Sequence, residues 1–323
     1  MCTAISVTVK DHYFGRNLDY EHSFGEKVTV TPRNYPFIFR NGKELRSHYA
    51  IIGMALLTDN YPLYFDGANE KGLAVAGLNF PGNACYMQKT EGKENVASFE
   101  FIPWILAQCD SVSEAEKLID RINITDEAFD ENTVPTPLHW LIADKHRSIT
   151  VEQTRAGIQV FENFAGALTN NPTFDKQMFN LTNYMSLSTE EPQNTFSEKL
   201  TLEPHSRGMG GIGLPGDLSS VSRFVRACFT KLNSEFGDSE PERVNQFFHI
   251  LYSVYQQKGC VKAQKGFVIT HYSSCCNTDR GIYYYTTYDN FSINGIDMHR
   301  ENLNGKTIVT YDLERISELQ IGN

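Results

Sequence analysis

A chain of 323 residues, 41% hydrophobic and 21% charged, has enough apolar side chains for a large core and the composition of an ordinary globular protein. With 29 Lys and Arg against 39 Asp and Glu the net charge is −10, which argues against a general nucleic-acid-binding or anionic-membrane surface. No apolar run approaches the ~18 residues of a membrane helix, and no basic stretch followed by an apolar one opens the chain, so the expected location is the cytoplasm.

The first predicted element begins at Cys2. Ile5, Val7 and Val9 alternate with Ser6 and Thr8, the period of a half-buried strand. Lys10-Asp11-His12 breaks the pattern, and 12–18 reads as the returning strand of a hairpin. A turn centred near Asp11 sets Cys2 opposite residues 19–21 and brings Asp19 beside the N-terminus. Arg16 and Asp19 are an odd number of residues apart, so both reach Cys2 only if the strand bulges or ends between them, and Gly15 is the expected place.

Chemistry makes this hairpin the first place to look. Cys is small enough for an aminopeptidase to remove Met1, leaving one residue with both a thiol and a free α-amine. Reference pKa values of about 8.5 and about 7.7–8.0 leave part of that amine unprotonated near neutrality and able to accept the thiol's proton. Cys2 then supplies nucleophile and base together. Asp19 can orient the amine, and Arg16 can stabilise negative charge on sulfur. The plain alternatives are a small buried Cys and an ordinary surface Arg–Asp pair.

Further strands are predicted at 27–31, 36–39, 49–57 and 73–80, separated by turn-rich pieces at 41–42 and 66–72. Helices follow at 98–109 and 113–122, the second with a capping box formed by Ser113 and Glu116. Strands return at 138–143, 148–153 and 158–161. Helices are expected at 174–185, 219–236 and 241–258, the last with Ser239 as N-cap and Glu242 three residues on. Strands at 267–272, 281–288, 291–297 and 307–313 close the chain. Blocks of strands alternating with blocks of helices indicate an α+β fold, and the absence of a polar linker indicates one domain over 1–323. The Gly-rich stretch 208–217 lacks the Gly-Lys-Ser/Thr ending of a P-loop and reads as a loop delivering the next helix, with Arg223 in its first turns. Seven scattered cysteines without a C-x-x-C pair argue against a disulfide framework and a zinc site, and three sequons read as chance matches.

Cys2 with Phe14-Gly15-Arg16-Asn17-Leu18-Asp19, Gly77-Leu78-Asn79-Phe80-Pro81, Leu168-Thr169-Asn170-Asn171-Pro172-Thr173-Phe174 and Ser222-Arg223-Phe224 together resemble the choloylglycine, or bile salt, hydrolases, whose sister enzymes are penicillin V acylases. The resemblance runs through Gly281-Ile282-Tyr283-Tyr284-Tyr285. It implies the N-terminal nucleophile hydrolase fold, a four-layer αββα sandwich of two antiparallel sheets between helical layers, and a homotetramer. By the same resemblance Cys2 is the nucleophile, Arg16, Asp19 and Arg223 are its electrostatic partners, and Asn79 and Asn170 are oxyanion or substrate contacts. Asn79 resembles the bile salt enzymes, since penicillin V acylases tend to carry Tyr at the matching position. The implied reaction is amide hydrolysis in glycine- or taurine-conjugated bile salts through an acyl-thioester, with no metal or cofactor. A steroid needs an apolar pocket, for which Tyr20, Phe24, Phe65 and Leu138 are candidates. Penicillin V acylase activity and a non-catalytic sterol-binding role are the alternatives.

Overall fold

The run Ile51–Thr58 is apolar at successive positions, so a strand made from it must be covered on both faces. Ile52 and Met54 enter one hydrophobic cluster, and Ile51 and Ala55 another. The split continues next door: Ala74, Ala76 and Leu78 oppose Val75, and Leu141 and Ala143 oppose Trp140 and Ile142. These strands form the middle of an eight-stranded antiparallel sheet ordered Gly157–Glu162, Ser148–Thr154, Leu138–Ala143, Ala74–Asn79, Tyr61–Asn69, Ile51–Thr58, Lys27–Thr31 and Val309–Tyr311. The computed structural model describes residues 1–131, 134–316 and 321–322; 132–133, 317–320 and 323 lie outside the described set.

A second antiparallel sheet has six strands, ordered Ala167–Leu168, Cys2–Thr8, His12–Tyr20, Ile269–Asn277, Ile282–Thr287 and Asn294–Asp297. Its strand Cys2–Thr8 packs against Ala74–Asn79 of the larger sheet. The outer face of the larger sheet is covered by α1 (Phe101–Gln108), where Phe101 stacks on Trp140 at 4.2 Å. Next comes α2 (Val112–Ile119), which buries Val112, Ala115, Leu118 and Ile119 in the same cluster. Beyond α3 (Phe174–Leu181), α4 (Ser220–Asn233) and α5 (Glu240–Tyr252) cover the six-stranded sheet with Phe224, Phe247 and Phe248. The order of layers is therefore helix, sheet, sheet, helix, the expected four-layer sandwich. Among the described residues no helix is long and apolar enough to cross a membrane.

Several boundaries differ from the sequence expectations for local reasons. The N-cap of α2 is Ser111, whose side chain accepts from the Glu114 amide, so the capping signal lies two residues upstream of Ser113. The cap of α5 is Ser239 paired with Glu242 as expected, but the helix ends at Tyr252 because the next residues turn inward and bury Val254 and Tyr255. Ile122–Thr125, expected to finish a helix at its start, is a strand paired in parallel with Glu94–Ala97. The first hairpin turns around Lys10: Cys2 pairs with Leu18 and Thr8 with His12, a tighter register than a turn at Asp11 gives. Asp19 still meets the N-terminus, because its amide donates to the Met1 carbonyl at 3.0 Å.

Gly15 is not the bulge. A Cβ there would lie 1.9 Å from the Ser274 carbonyl oxygen, so glycine is required by close backbone approach. The irregularity sits on the neighbouring strand, where the pairing shifts between Thr270 and Tyr272 opposite Asp19 and Leu18. His12, at the end of the same hairpin, is buried and hydrogen-bonded to the Ser6 and Thr278 hydroxyls. Burial lowers its pKa to about 4, against the opposing pull of Asp144 and Asp279.

Two outcomes follow. Gly15→Ala should destabilise the fold by about 3 kcal/mol, since only backbone could yield, whereas the Gly211→Ala control meets nothing within 4 Å and should unfold at the wild-type urea midpoint. For His12 the folded value lies below the unfolded one, so the unfolded chain binds the proton first as pH falls from ~6.5 toward 4. Stability should drop by roughly 2–3 kcal/mol between pH 7 and pH 4.5, and that increment should be missing from His12→Gln in paired urea titrations.

Candidate active site

Cys2 opens the strand next to the edge of the six-stranded sheet and is buried against the larger one. Four segments converge on it. The edge strand Ala167–Leu168 pairs with Ala4 and Ile5 and continues into Thr169 and Asn170. The Cys2 amide nitrogen donates to Asn170 Oδ1 at 2.8 Å, and Asn170 Nδ2 donates to the Asn79 carbonyl at 2.7 Å. Asn79 ends the strand Ala74–Asn79 and pairs with Leu138.

Arg223 arrives from the first turn of α4. The preceding loop is locked by Asp217, which accepts from the Ser219 amide and the Ser222 hydroxyl; those bonds hold its pKa down near 2. The fully buried Arg223 guanidinium donates through Nη2 to Asn170 Oδ1 at 2.8 Å, and through Nη1 to the Cys2 carbonyl and to Thr3 Oγ1. Arg16, equally buried, donates to the Phe65 and Gly77 carbonyls. Burial alone would lower its pKa, but the opposing charges of Cys2, Tyr272, Asp66 and Asp19 outweigh that and raise it. For Arg223 burial prevails over Asp19 and Cys2 and lowers the value. Both groups remain cations at any ordinary pH.

Asp19 Oδ1 accepts from the Thr270 hydroxyl at 2.6 Å, while Oδ2 is buried without a hydrogen-bond partner, 3.9 Å from Arg223 Nη1. Burial raises its pKa against the pull of Arg223, the terminal amine, Thr270 and Arg16. Charge on the Cys2 sulfur is thus felt by two fixed cations, Arg16 and Arg223, and a terminal nitrogen at Cys2 has Asn170 Oδ1 within reach and Asp19 close by. This is the arrangement a nucleophilic thiol and an adjacent amine require. Among the described residues no group of three or more His, Cys, Asp or Glu is placed to hold a metal ion.

Beside this polar centre lies an apolar cavity of about 260 Å³, lined by Phe24, Leu63, Phe65, Phe99, Phe129 and Leu138, with Gly77 in its wall. Of the four pocket candidates from the sequence, Phe24, Phe65 and Leu138 line this cavity. Tyr20 does not line the cavity; it packs behind Phe24 at 4.9 Å between ring centres. Asn79 is not a lining residue either, standing instead at the strand end across from Leu138. Larger hollows of about 620 Å³ beside Arg33 and Glu70, and about 400 Å³ beside Asn123 and Gln153, contain none of the candidate residues. Its links to Arg16 through Phe65 and Gly77 and to Asn79 through Leu138, together with an apolar lining and not volume, select the smaller one.

Sequence reasoning missed three buried polar side chains here. Asp66 accepts from Tyr272, Tyr283 and Ser274 hydroxyls behind Arg16, and Asp66-Gly67 had read as a turn. His139 and Glu152 form a buried pair behind Asn170, and the signal for His139 is the polar residue interrupting the apolar run 138–143.

The chain is similar throughout its length to proteins of one family. A model of the linear amide C–N hydrolases, choloylglycine hydrolase family, matches residues 2–311. The chain is 52% identical over 314 residues to a bile salt hydrolase/transferase of Lactiplantibacillus plantarum, covering 97% of each. It is 41% identical over 317 residues to one of Clostridium perfringens, covering 96% of each. A solved structure of a variant of conjugated bile acid hydrolase from Clostridium perfringens matches over 100% of both chains with a TM-score of 0.91 and 39% identity. Penicillin V acylase from Agrobacterium tumefaciens shares the fold, with a TM-score of 0.77 at 19% identity over 98% of this chain and 92% of that one. With the thiol at the head of an inner strand of an αββα sandwich, this chain belongs to the choloylglycine hydrolase family of linear amide C–N hydrolases and has the N-terminal nucleophile hydrolase fold.

Proposed function

We propose that the chain, once Met1 is removed, hydrolyses the amide bond of glycine- and taurine-conjugated bile salts through an acyl-thioester on Cys2. The observation that carries this reading is the sharing of Asn170 Oδ1 by the Cys2 nitrogen and the Arg223 guanidinium, with Arg16 bonded to the Phe65 and Gly77 carbonyls in the wall of an apolar cavity. Relatives named bile salt hydrolase/transferase and conjugated bile acid hydrolase support the substrate class.

In the proposed reaction the Cys2 amine takes the thiol proton and the sulfur attacks the amide carbonyl. Negative charge then builds on the carbonyl oxygen. The Asn170 side-chain amide, released from the Asn79 carbonyl, and amide donors at Asn79 are the groups we assign to that oxygen. The ammonium of Cys2 returns the proton to the leaving glycine or taurine nitrogen as the carbon–nitrogen bond breaks. Water, deprotonated by the same amine, then cleaves the thioester. Asn170 Oδ1 and the unpartnered Asp19 Oδ2 orient the amine, and Arg16 and Arg223 stabilise negative charge on sulfur. The steroid is assigned to the cavity of Phe24, Phe65 and Leu138, with Tyr20 as the support of Phe24.

We also propose one domain over 1–323, a cytoplasmic location and a homotetramer. Pairing of Lys27–Thr31 with Val309–Tyr311, from opposite ends of the chain, supports the single domain. Light scattering at four times 36.6 kDa is the result expected for the tetramer.

Cys2→Ala should release no glycine from glycocholate and no taurine from taurocholate while keeping the wild-type circular dichroism spectrum and urea midpoint; full turnover in that variant refutes the mechanism. The active protein should have an intact mass without Met1, and activity with Met1 retained would contradict the role of the amine. Side by side, glycocholate and taurocholate should be cleaved faster than penicillin V. Bile salt binding without amino-acid release would instead identify a sterol-binding protein.

A further inference from the structure

Asn170 lies in a turn whose two ends are gripped by one buried pair of side chains. From the strand Leu138–Ala143, His139 Nε2 donates to the Thr169 carbonyl at 2.8 Å, just before Asn170. Its Nδ1 is 3.1 Å from Glu152 Oε1 on the adjacent strand Ser148–Thr154. The same carboxylate oxygen accepts from the Phe174 amide at 3.0 Å, at the far end of the turn where α3 begins. Both side chains are fully buried. The His139 ring also stacks on Phe80, 4.1 Å away and within 7° of parallel, and Phe80 follows Asn79. One imidazole–carboxylate pair therefore touches both ends of the turn carrying Asn170 and the residue next to Asn79.

We propose that His139 and Glu152 form a positioning pair for the oxyanion contacts, fixing the Asn170 side chain relative to Cys2 and Asn79 without touching substrate. The inference rests on the role given to Asn170 above. Its basis is geometric. Burying a polar pair that serves only packing gains little over apolar residues of similar volume, whereas a rigid brace holds a donor where charge develops. The turn has independent tethers, which make the pair's role separable from folding. Asn170 N donates to Ser220 Oγ at 2.8 Å, and Gln177 Nε2 reaches Thr169 Oγ1 and the Asn171 carbonyl, both at 3.2 Å.

The test uses mature enzyme and a glycine conjugate. His139→Phe keeps a ring to stack on Phe80 and loses both polar contacts. It should lower kcat roughly 10- to 100-fold and leave KM within about twofold of wild type. Added to Asn170→Ala, it should lower kcat no further, because the brace has nothing left to position. Glu152→Gln, which keeps an oxygen for the Phe174 amide, should retain most of the wild-type kcat. If His139→Phe does not accumulate folded, Glu152→Ala carries the same two readouts. An unchanged kcat in either folded variant, a loss confined to KM, or losses that multiply with Asn170→Ala would overturn the proposal. If Asn170→Ala alone keeps full kcat, the assignment of Asn170 itself has failed.

Discussion

Two arginines buried between the layers constrain everything around Cys2. A guanidinium cannot shed its charge to suit a dry interior, so burying one costs several kcal/mol unless every donor finds an oxygen at the right angle. Arg223 meets that demand with the Cys2 carbonyl, Thr3, Asn170 and the Leu218 carbonyl, and thereby fastens the first strand, the Asn170 turn and the start of α4 to a single plane. Arg16 does the same for the carbonyls of Phe65 and Gly77 on two strands of the other sheet. Displacing any of these segments would leave a buried cation short of acceptors. The sandwich is thus fixed most tightly where its two sheets meet the nucleophile.

The N-terminus extends this logic. Met1 prolongs the hairpin ladder by one step, exchanging bonds with the Asp19 backbone in both directions. Removing it would free the Asp19 carbonyl and turn the Cys2 amide into an amine, with Asn170 Oδ1 still 2.8 Å from the nitrogen. A neutral carbonyl oxygen from Asn170 and a nearby carboxylate from Asp19 suit an ammonium as well as they suit an amide donor. Little rearrangement is then needed between the chain that starts at Met1 and the proposed catalyst.

Much of this was legible in the sequence where the signal is local. The alternation from Ile5 to Val9 and the polar break after it give the hairpin; Ser239 and Glu242 give the start of α5. The exact register was not, because one residue in the turn shifts every pair and only packing against Ser274 decides it. Ala167–Leu168 is too short for any period to show, and the pairing of Ile122–Thr125 with Glu94–Ala97 depends on residues far apart in the chain. Asp66 was hidden by its neighbour: Asp-Gly reads as a turn unless the three hydroxyls that surround it, from strands two hundred residues later, are known. Tyr20 fell one layer behind its expected place because Phe24 occupies the cavity side of that aromatic stack.

The apolar cavity and the polar centre are two sides of the same backbone. Phe65 turns its ring into the cavity and its carbonyl toward Arg16; Gly77 forms cavity wall and accepts from the same guanidinium. A Cβ at Gly77 would come within 3.3 Å of the Trp140 indole nitrogen, so any side chain there would have to push that ring aside by a few tenths of an ångström. On the proposed reading, a steroid seated against Phe65 and Leu138 is registered against atoms that also fix Arg16, and through Asn79, opposite Leu138, against the turn that carries Asn170. A ligand that fills the cavity poorly would lose alignment of its amide along with apolar contact, because no flexible linker separates the two. Binding remote from the reacting bond is in this way converted into orientation at the sulfur.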